Sequence, residues 1–436
     1  MKKSSFAYSL LLFSISGNLM AITNDLPASL RESISVAVKY NPKTVSTNEL
    51  LESIHYQTLA SKADVYYPGG SIRCGSNGSN SQTKYSSMNS TYKGSSASCD
   101  LSVSMTVYDG GAALNRYKSQ EASEAATKAA YNTSDSMIPN TRGGLANKAM
   151  SNYVSLINTQ GNLNYSNKVL GLLKKISKVE DDILIQTAIE EWELEISQTV
   201  DSQKIQKESF EYTVTLPPAD TLEDLDETIK SLKIPASADD AILLALNNGP
   251  EVIRRNLNVK MAEFDLKATK GSIGPYISVS ANVGSDLSRD RLDPSNNYRG
   301  SSASVGISVT IPLDVSGKYR VKSSEARLAS KISEKEAAIK DAKHSISEQY
   351  KRLVNLRKNY EAESKSYSDM LLYVESVANS AEQNNFLGRD ISKFLASVAS
   401  LDKRYYQLQR TKNEMLYNLF SIQQVTGQLF SDFIVE

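Results

Sequence analysis

Only four side chains in the 436 residues are thiols or imidazoles, the groups best suited to bind soft metals or attack carbon: His55, His344, Cys74 and Cys99. Each histidine sits in a helical stretch with no cysteine or carboxylate cluster at ligand spacing, so no metal or cofactor is expected. The sequence has no phosphate-cradling glycine loop, no nucleophile elbow and no metalloprotease signature. Gly69-Gly70 and Gly110-Gly111 flank strands and read as turns. What remains is thiol chemistry. Cys74 and Cys99 fall on opposite arms of one β-hairpin, and pairing them places Ile72 opposite Leu101, two apolar residues on one face. Two readings follow: a cross-strand disulfide in an oxidising compartment, or two free thiols serving as small outward-facing apolar groups.

The elements that position these residues are read from periodicity. From Ala97 the odd positions are Ala97, Cys99, Leu101, Val103, Met105 and Val107, and the even ones are Ser98, Asp100, Ser102, Ser104 and Thr106. Strict alternation makes a strand with one apolar and one polar face. Upstream, Ile72 and Cys74 alternate with Ser71 and Arg73. The Ser/Asn/Gly-rich stretch Gly75 to Gly94 reads as a long polar loop between the two strands. Downstream, Tyr319 to Thr426 contains no proline and one glycine, Gly388. Ile332, Ile339, Ile346, Leu353, Tyr360, Tyr367, Val374 and Ala381 form a seven-residue column. A second runs through Phe394, Leu401, Leu408, Met415 and Ile422. Heptad columns of this length mark supercoiled helices that fold back on each other near Gly388. The first arm alone, at 1.5 Å per residue, is roughly 100 Å long.

Composition narrows the classes further. With 49 basic and 49 acidic side chains well mixed, formal net charge is zero and no basic stripe stands out, so nucleic acid is not an expected partner. Lys2 and Lys3 precede an apolar run from Phe6 to Ile15 and a small residue, Ala21. That pattern predicts a signal peptide over 1–21, hence export. Beyond it no run of about twenty apolar residues occurs, so any membrane crossing must be made by strands.

The chain is internally repeated. Ala37 to Pro42 returns as Ala245 to Pro250, and Gly94-Ser95-Ser96-Ala97-Ser98 returns unchanged as Gly300-Ser301-Ser302-Ala303-Ser304. After the second copy, Ile307, Val309, Ile311 and Leu313 alternate with Ser308, Thr310 and Pro312. The expected organisation is a first repeat over 22–212 with a hairpin at 70–108, a proline-bearing linker over 213–239, a second repeat over 240–426 with a hairpin at 276–314, and a tail over 427–436. In lipid an open sheet leaves edge groups unpaired, and four strands cannot close. Three chains would supply twelve strands, so a homotrimer is expected.

Several segments carry a family likeness: Asn41-Pro42 and Gly249-Pro250, the turns Tyr108-Asp109-Gly110-Gly111 and Pro312-Leu313-Asp314-Val315-Ser316-Gly317, Leu387-Gly388-Arg389, and Val425-Thr426-Gly427-Gln428-Leu429. In their order and spacing the chain resembles the TolC-like outer membrane factors. The resemblance implies a mainly α chain with a transmembrane β part: a tandem-repeat channel-tunnel whose four strands per chain form a trimeric twelve-stranded barrel on a twelve-helix periplasmic α-barrel. It implies a periplasmic adaptor (membrane fusion) protein, an inner-membrane ABC or RND transporter and outer membrane lipid as partners. Tyr66, Tyr67, Tyr108 and Tyr276, at the bases of the hairpins, would join an aromatic girdle at the membrane surface, unless some of the 23 tyrosines fall there by chance. Gly75 to Gly94 and Ser285 to Gly300 would be extracellular loops. The family narrows its periplasmic end with aspartates after the Gly-Arg turn, but here Lys393 and Ala396 stand at those positions. The equivalent turn of the first repeat falls at Glu180-Asp181-Asp182, which would form a negative ring at the mouth, paired with Arg389 or Lys393, or would simply solvate a helical turn. The linker ending Lys233-Ile234-Pro235 resembles type I protein secretion components. A drug-efflux channel is the alternative, as is a periplasmic coiled-coil adaptor with no pore.

Overall fold

Proline sets the first break in the chain. In the computed structural model, which describes residues 28–85, 88–133, 141–178, 182–215, 229, 237–290, 297–313, 315–381 and 388–428, helix α1 (Ala28–Tyr40) stops at Asn41 and α2 (Pro42–Tyr66) follows at once. Pro42 takes the first helical position, where an N–H has no intrahelical partner anyway, and the Asn41 side chain accepts from the Lys43 N–H at 3.0 Å. The second repeat reuses the device: α6 (Ala238–Asn248) gives way to α7 (Pro250–Ser272) with Gly249 at the cap. The expected signal, most of the linker and the tail beyond Gln428 lie outside the described residues.

The chain divides into two compact units. One carries the sheet, built from β1 (Gly69–Tyr85), β2 (Met88–Tyr108), β3 (Tyr276–Asp290) and β4 (Tyr298–Thr310) in the order β1-β2-β3-β4, every pair antiparallel. Both hairpins run further than their alternation indicates. The stretch read as a loop from Gly75 to Gly94 is ladder on both sides, paired from Gly75↔Ser98 out to Tyr85↔Met88, and Ser285 to Asp290 continue β3. The reason is that ladder bonds are made by the backbone. A segment that is polar on both faces can pair without showing period two in its side chains.

The turn out of β2 is specified by residue type. Asp109 accepts from the Gly111 and Ala113 N–H groups at 2.9 and 2.6 Å, closing the first turn of α3 (Ala112–Tyr131). Gly110 and Gly111 have φ of 64° and 80°, the left-handed region that glycine enters without strain. The end of α7 presses on this turn, and a Cβ on Gly271 would lie 2.8 Å from the Gly110 carbonyl oxygen. Farther along, α3 and α7 are joined by the Ser119 hydroxyl, which donates to Asp265 at 2.5 Å.

The second unit is helical: the first part of α1, α4 (Arg142–Ser177) from Lys148 on, α5 (Ile183–Val214), α6 up to Leu244, the later part of α8 (Ser316–Ala381) and α9 (Gly388–Val425). Thr141 caps α4 by accepting from the Gly144 N–H, so the Gly143-Gly144 pair lies in the first turn. The heptad columns are its core. Ile346, Leu353, Tyr360 and Val374 on α8 and Phe394, Leu401, Leu408, Met415 and Ile422 on α9 are all buried. Earlier in α8 the column is not covered by this chain, since Ile332 is 41% exposed.

Replacing Gly271 with alanine should force backbone away from backbone and cost about 1–3 kcal/mol. Gly171→Ala, on an α4 position with nothing within 4 Å, should instead gain up to about 1 kcal/mol from helix propensity. Opposite shifts in the denaturation midpoints of the two variants check this packing.

Candidate functional site

The register sorts every strand residue onto one of two faces. One face carries rungs such as Gly70–Val103–Ala281–Val305 and Ile72–Leu101–Val283–Ala303, with Met105, Val279 and Ile307 beside them. The other carries Ser71–Ser102–Asn282–Ser304 and Arg73–Asp100–Gly284–Ser302. Hydroxyls pair across strands on this polar face, Ser71 with Ser102 at 2.9 Å and Ser278 with Ser308 at 2.7 Å. Among the described residues nothing covers the apolar face: Ile72, Val305 and Ile307 are 75, 79 and 74% exposed. Cys74 and Cys99 oppose each other on that face and are joined as a disulfide. The strands β1 and β4 each keep one unpaired edge.

In the helical unit, one hydrophobic cluster gathers the last turns of α4, the first of α5, the last of α8 and the first of α9: Leu173 and Ile176, Ile185, Val374 and Ala378, Ile391 and Phe394. It fixes where the connecting turns emerge. Asp182 caps α5, its carboxylate accepting from the Leu184 N–H at 2.7 Å. Lys393 reaches Asp390 of its own helix at 3.6 Å, an exposed and therefore weak pair. Glu180 and Asp181 lie outside the described residues, and of Arg389 only the backbone, in the first turn of α9, is described. The proposed pairing of these charges thus has only Asp182 and Lys393 as described members, and Lys393 has its own partner.

Further along the same four helices lies a group that periodicity does not reveal. Tyr165 of α4 stacks on Tyr405 of α9 with ring centroids 3.8 Å apart, and Trp192 of α5 meets Tyr165 edge-on at 5.9 Å. Tyr406 donates to Glu195 of α5 at 3.0 Å, and Tyr405 to Asn162 of α4 at 3.2 Å. Half-buried beside them is Asp402, one carboxylate oxygen of which has no hydrogen-bond partner. Burial, and then the charge of Glu195, push its carboxyl up to about 6, while the Tyr165 hydroxyl pulls the other way.

No protein-family model and no curated protein matches the sequence. Solved structures do match. The chain is similar to the CmeC outer membrane channel of Campylobacter jejuni, at 12% identity over 94% of this chain and 88% of that one, with a TM-score of 0.71. It is also similar to the outer membrane protein VceC of Vibrio cholerae (14% identity, 94 and 98% covered, TM-score 0.67). A third is the open state of the MtrE outer membrane channel of Neisseria gonorrhoeae (16%, 92 and 89%, 0.66). The chain has the TolC-like outer membrane channel-tunnel fold.

Within the channel-tunnel fold, Tyr66 and Tyr67 end α2 just before β1, Tyr108 ends β2 and Tyr276 begins β3, so all four sit at one end of the sheet and all are exposed. Periodicity does not mark Asp402, which stands one place after Leu401, outside the heptad column, and is half-buried beside Tyr165 of α4 and Glu195 of α5. The carboxyl of Asp402, raised from 3.8 to about 6, stabilises the folded helices fully below pH 4, and that contribution is lost as pH rises through 6. Asp402→Asn should therefore unfold at higher denaturant than the native chain at pH 7.5 and at nearly the same denaturant at pH 4. Trp192, the single tryptophan and an edge neighbour of Tyr165, is a direct fluorescent probe for the measurement.

Proposed function

We propose that three copies of the chain close a twelve-stranded barrel in the outer membrane and a twelve-helix tunnel in the periplasm, forming a passive channel through which cargo leaves the cell. The observation that carries this reading is the sheet. From the Met105–Val279–Ile307 rung to the Ile72–Leu101–Val283–Ala303 rung one face is apolar and largely exposed, the other is serine-rich, and among the described residues the outer edges of β1 and β4 have no partner strand. Lipid is the medium that suits the first face, and water in a lumen suits the second. From Ala97 to Val107 the apolar band of β2 follows about 34 Å of strand, which at the usual tilt gives a height near the ~25 Å expected of such bands. The uncovered column at Ile332 is consistent with neighbouring copies packing along α8.

Energy for transport would come from partners, an inner-membrane ABC or RND transporter joined through a periplasmic adaptor. Type I secretion of a protein is the favoured use, on the strength of Lys233-Ile234-Pro235. Drug efflux is the competing cargo. A coiled-coil adaptor without a pore would leave the two-faced sheet unexplained.

Ile307 and Ser308 are neighbours in sequence but face opposite ways. Ile307→Arg should therefore cost about 2–4 kcal/mol near mid-bilayer and abolish heat-modifiable trimers, while Ser308→Arg should leave the trimer intact. Equal tolerance of the two would reject the assignment of faces, and a monomer from the unaltered chain would reject the channel. The acidic triplet before α5 is the proposed ring at the mouth. Because Asp182 also caps a helix, alanine there would remove about 1 kcal/mol of cap along with the charge. Asp181→Asn with Asp182→Asn keeps a capping side chain and removes the charges. Cation selectivity in planar bilayers should fall, and unchanged selectivity and conductance would dismiss the ring.

A further inference from the structure

The polar composition of β1 leaves its position on β2 weakly specified by side chains, through exposed pairs such as Ser71 with Ser102 and Arg73 opposite Asp100. On the face shared with the apolar rungs, the described positions of β1 are Gly70, Ile72, Cys74, Ser76 and Gly78, with Ile72 the one large apolar side chain among them. The corresponding face of β2 carries Ala97, Cys99, Leu101, Val103, Met105 and Val107 in unbroken succession. A slip of β1 by two residues would set Ile72 against Val103 or Cys99, still apolar against apolar, and would preserve the ladder bonds. Burial therefore does not choose among these registers, because a slip by two keeps every side chain on its own face. The tip offers little help. Ser86-Ser87 is not an Asn-Gly or Asp-Gly pair, and residues 75 to 84 are all Gly, Ser, Asn, Gln, Thr or Lys.

One feature does choose. Cys74 stands directly opposite Cys99, and the two are bonded. We propose that the Cys74–Cys99 disulfide is a register lock for the edge strand β1, which makes assembly of the ring conditional on oxidation of this chain. This rests on the trimeric reading above, in which the free edge of β1 must pair with β4 of a neighbouring copy. A two-residue slip displaces that edge by about 7 Å, more than one inter-strand spacing, and every rung of the closing seam would be mismatched. Closing the lock removes two electrons and two protons from the thiols. A protein disulfide oxidant of the export compartment takes them up by exchange, becoming a dithiol as the new S–S bond forms.

The test compares full-length chains in the same membranes and scores heat-stable trimers. Cys74→Ser with Cys99→Ser should lower the trimer yield about tenfold or more, and growth of the unaltered chain with dithiothreitol before insertion should do the same. In the double-serine background, Ser76→Cys with Ala97→Cys moves the lock one rung along the native register and should restore trimers. Cys74→Ser with Ser76→Cys leaves residues 76 and 99, which can bond directly only when β1 has slipped by two. That chain should oxidise to a cross-linked monomer that does not assemble. Wild-type trimer yield from the double-serine chain would overturn the lock, as would failure of the relocated pair to rescue, or normal trimers from the slipped pair. If the unaltered oxidised chain forms no trimer, it is the channel reading that fails.

Discussion

A strand's backbone must be hydrogen-bonded on both sides when water is excluded, and this sheet meets the requirement on only three of its five boundaries. Its interior pairs, β1–β2, β2–β3 and β3–β4, are complete, and the outer edges of β1 and β4 are open. Leaving such edges in hydrocarbon costs several kcal/mol for each unpaired group, which over a strand of a dozen residues far exceeds the whole stability of an ordinary domain. Leaving the apolar face in water is also unfavourable. The protomer is therefore an incomplete object by its own chemistry. Repetition of the same sheet is the most economical completion, because β1 and β4 are antiparallel-compatible edges of one order that can be extended in a ring.

The helices solve a different problem, and the sequence shows how. Heptad columns keep a seam on one side over many turns, so Phe394 to Ile422 are buried without interruption and α9 needs no change of partner. Where a turn is needed, the chain uses specific caps: Asn41 with Pro42, Asp109 with Gly110 and Gly111, Thr141 with Gly144, Asp182 with Leu184. Each breaks a helix or starts one at a defined residue. The close approach of Gly271 to the β2–α3 turn then ties helix ends to the sheet within one unit without any side chain between them.

What could be read in advance was what depends on local repetition. Two heptad columns, the strict alternation after Ala97, and the returning Gly-Ser-Ser-Ala-Ser segment sufficed for helices, strands and the duplicated plan. The outer parts of the hairpins were missed because Gly75 to Gly94 has no period for a reader to find, although its backbone pairs all the same. The aromatic group around Asp402 was missed for a second reason. Tyr165, Trp192, Glu195, Asp402 and Tyr405 come from three helices, and no pattern within any one of them signals that the others will cover it.

The polar face of the sheet has consequences for any traffic past it. Serine is small, neutral and able to satisfy its neighbour, as Ser71 does with Ser102 and Ser278 with Ser308, so most of this wall needs nothing from a passing solute. A surface of that kind offers no pocket, little charge and no apolar patch by which to hold cargo. Its described charges include Arg73 opposite Asp100, with Gly284 alongside, where an added Cβ would collide with the Asp100 carboxylate, and Asp286 one rung further on. In the proposed ring, selection of cargo by this wall is therefore weak. In that reading, discrimination falls to the larger side chains of the helical unit or to the proposed partner proteins. This is also why a duplicated, largely self-satisfied wall can keep the fold at low sequence identity to the solved channels it resembles.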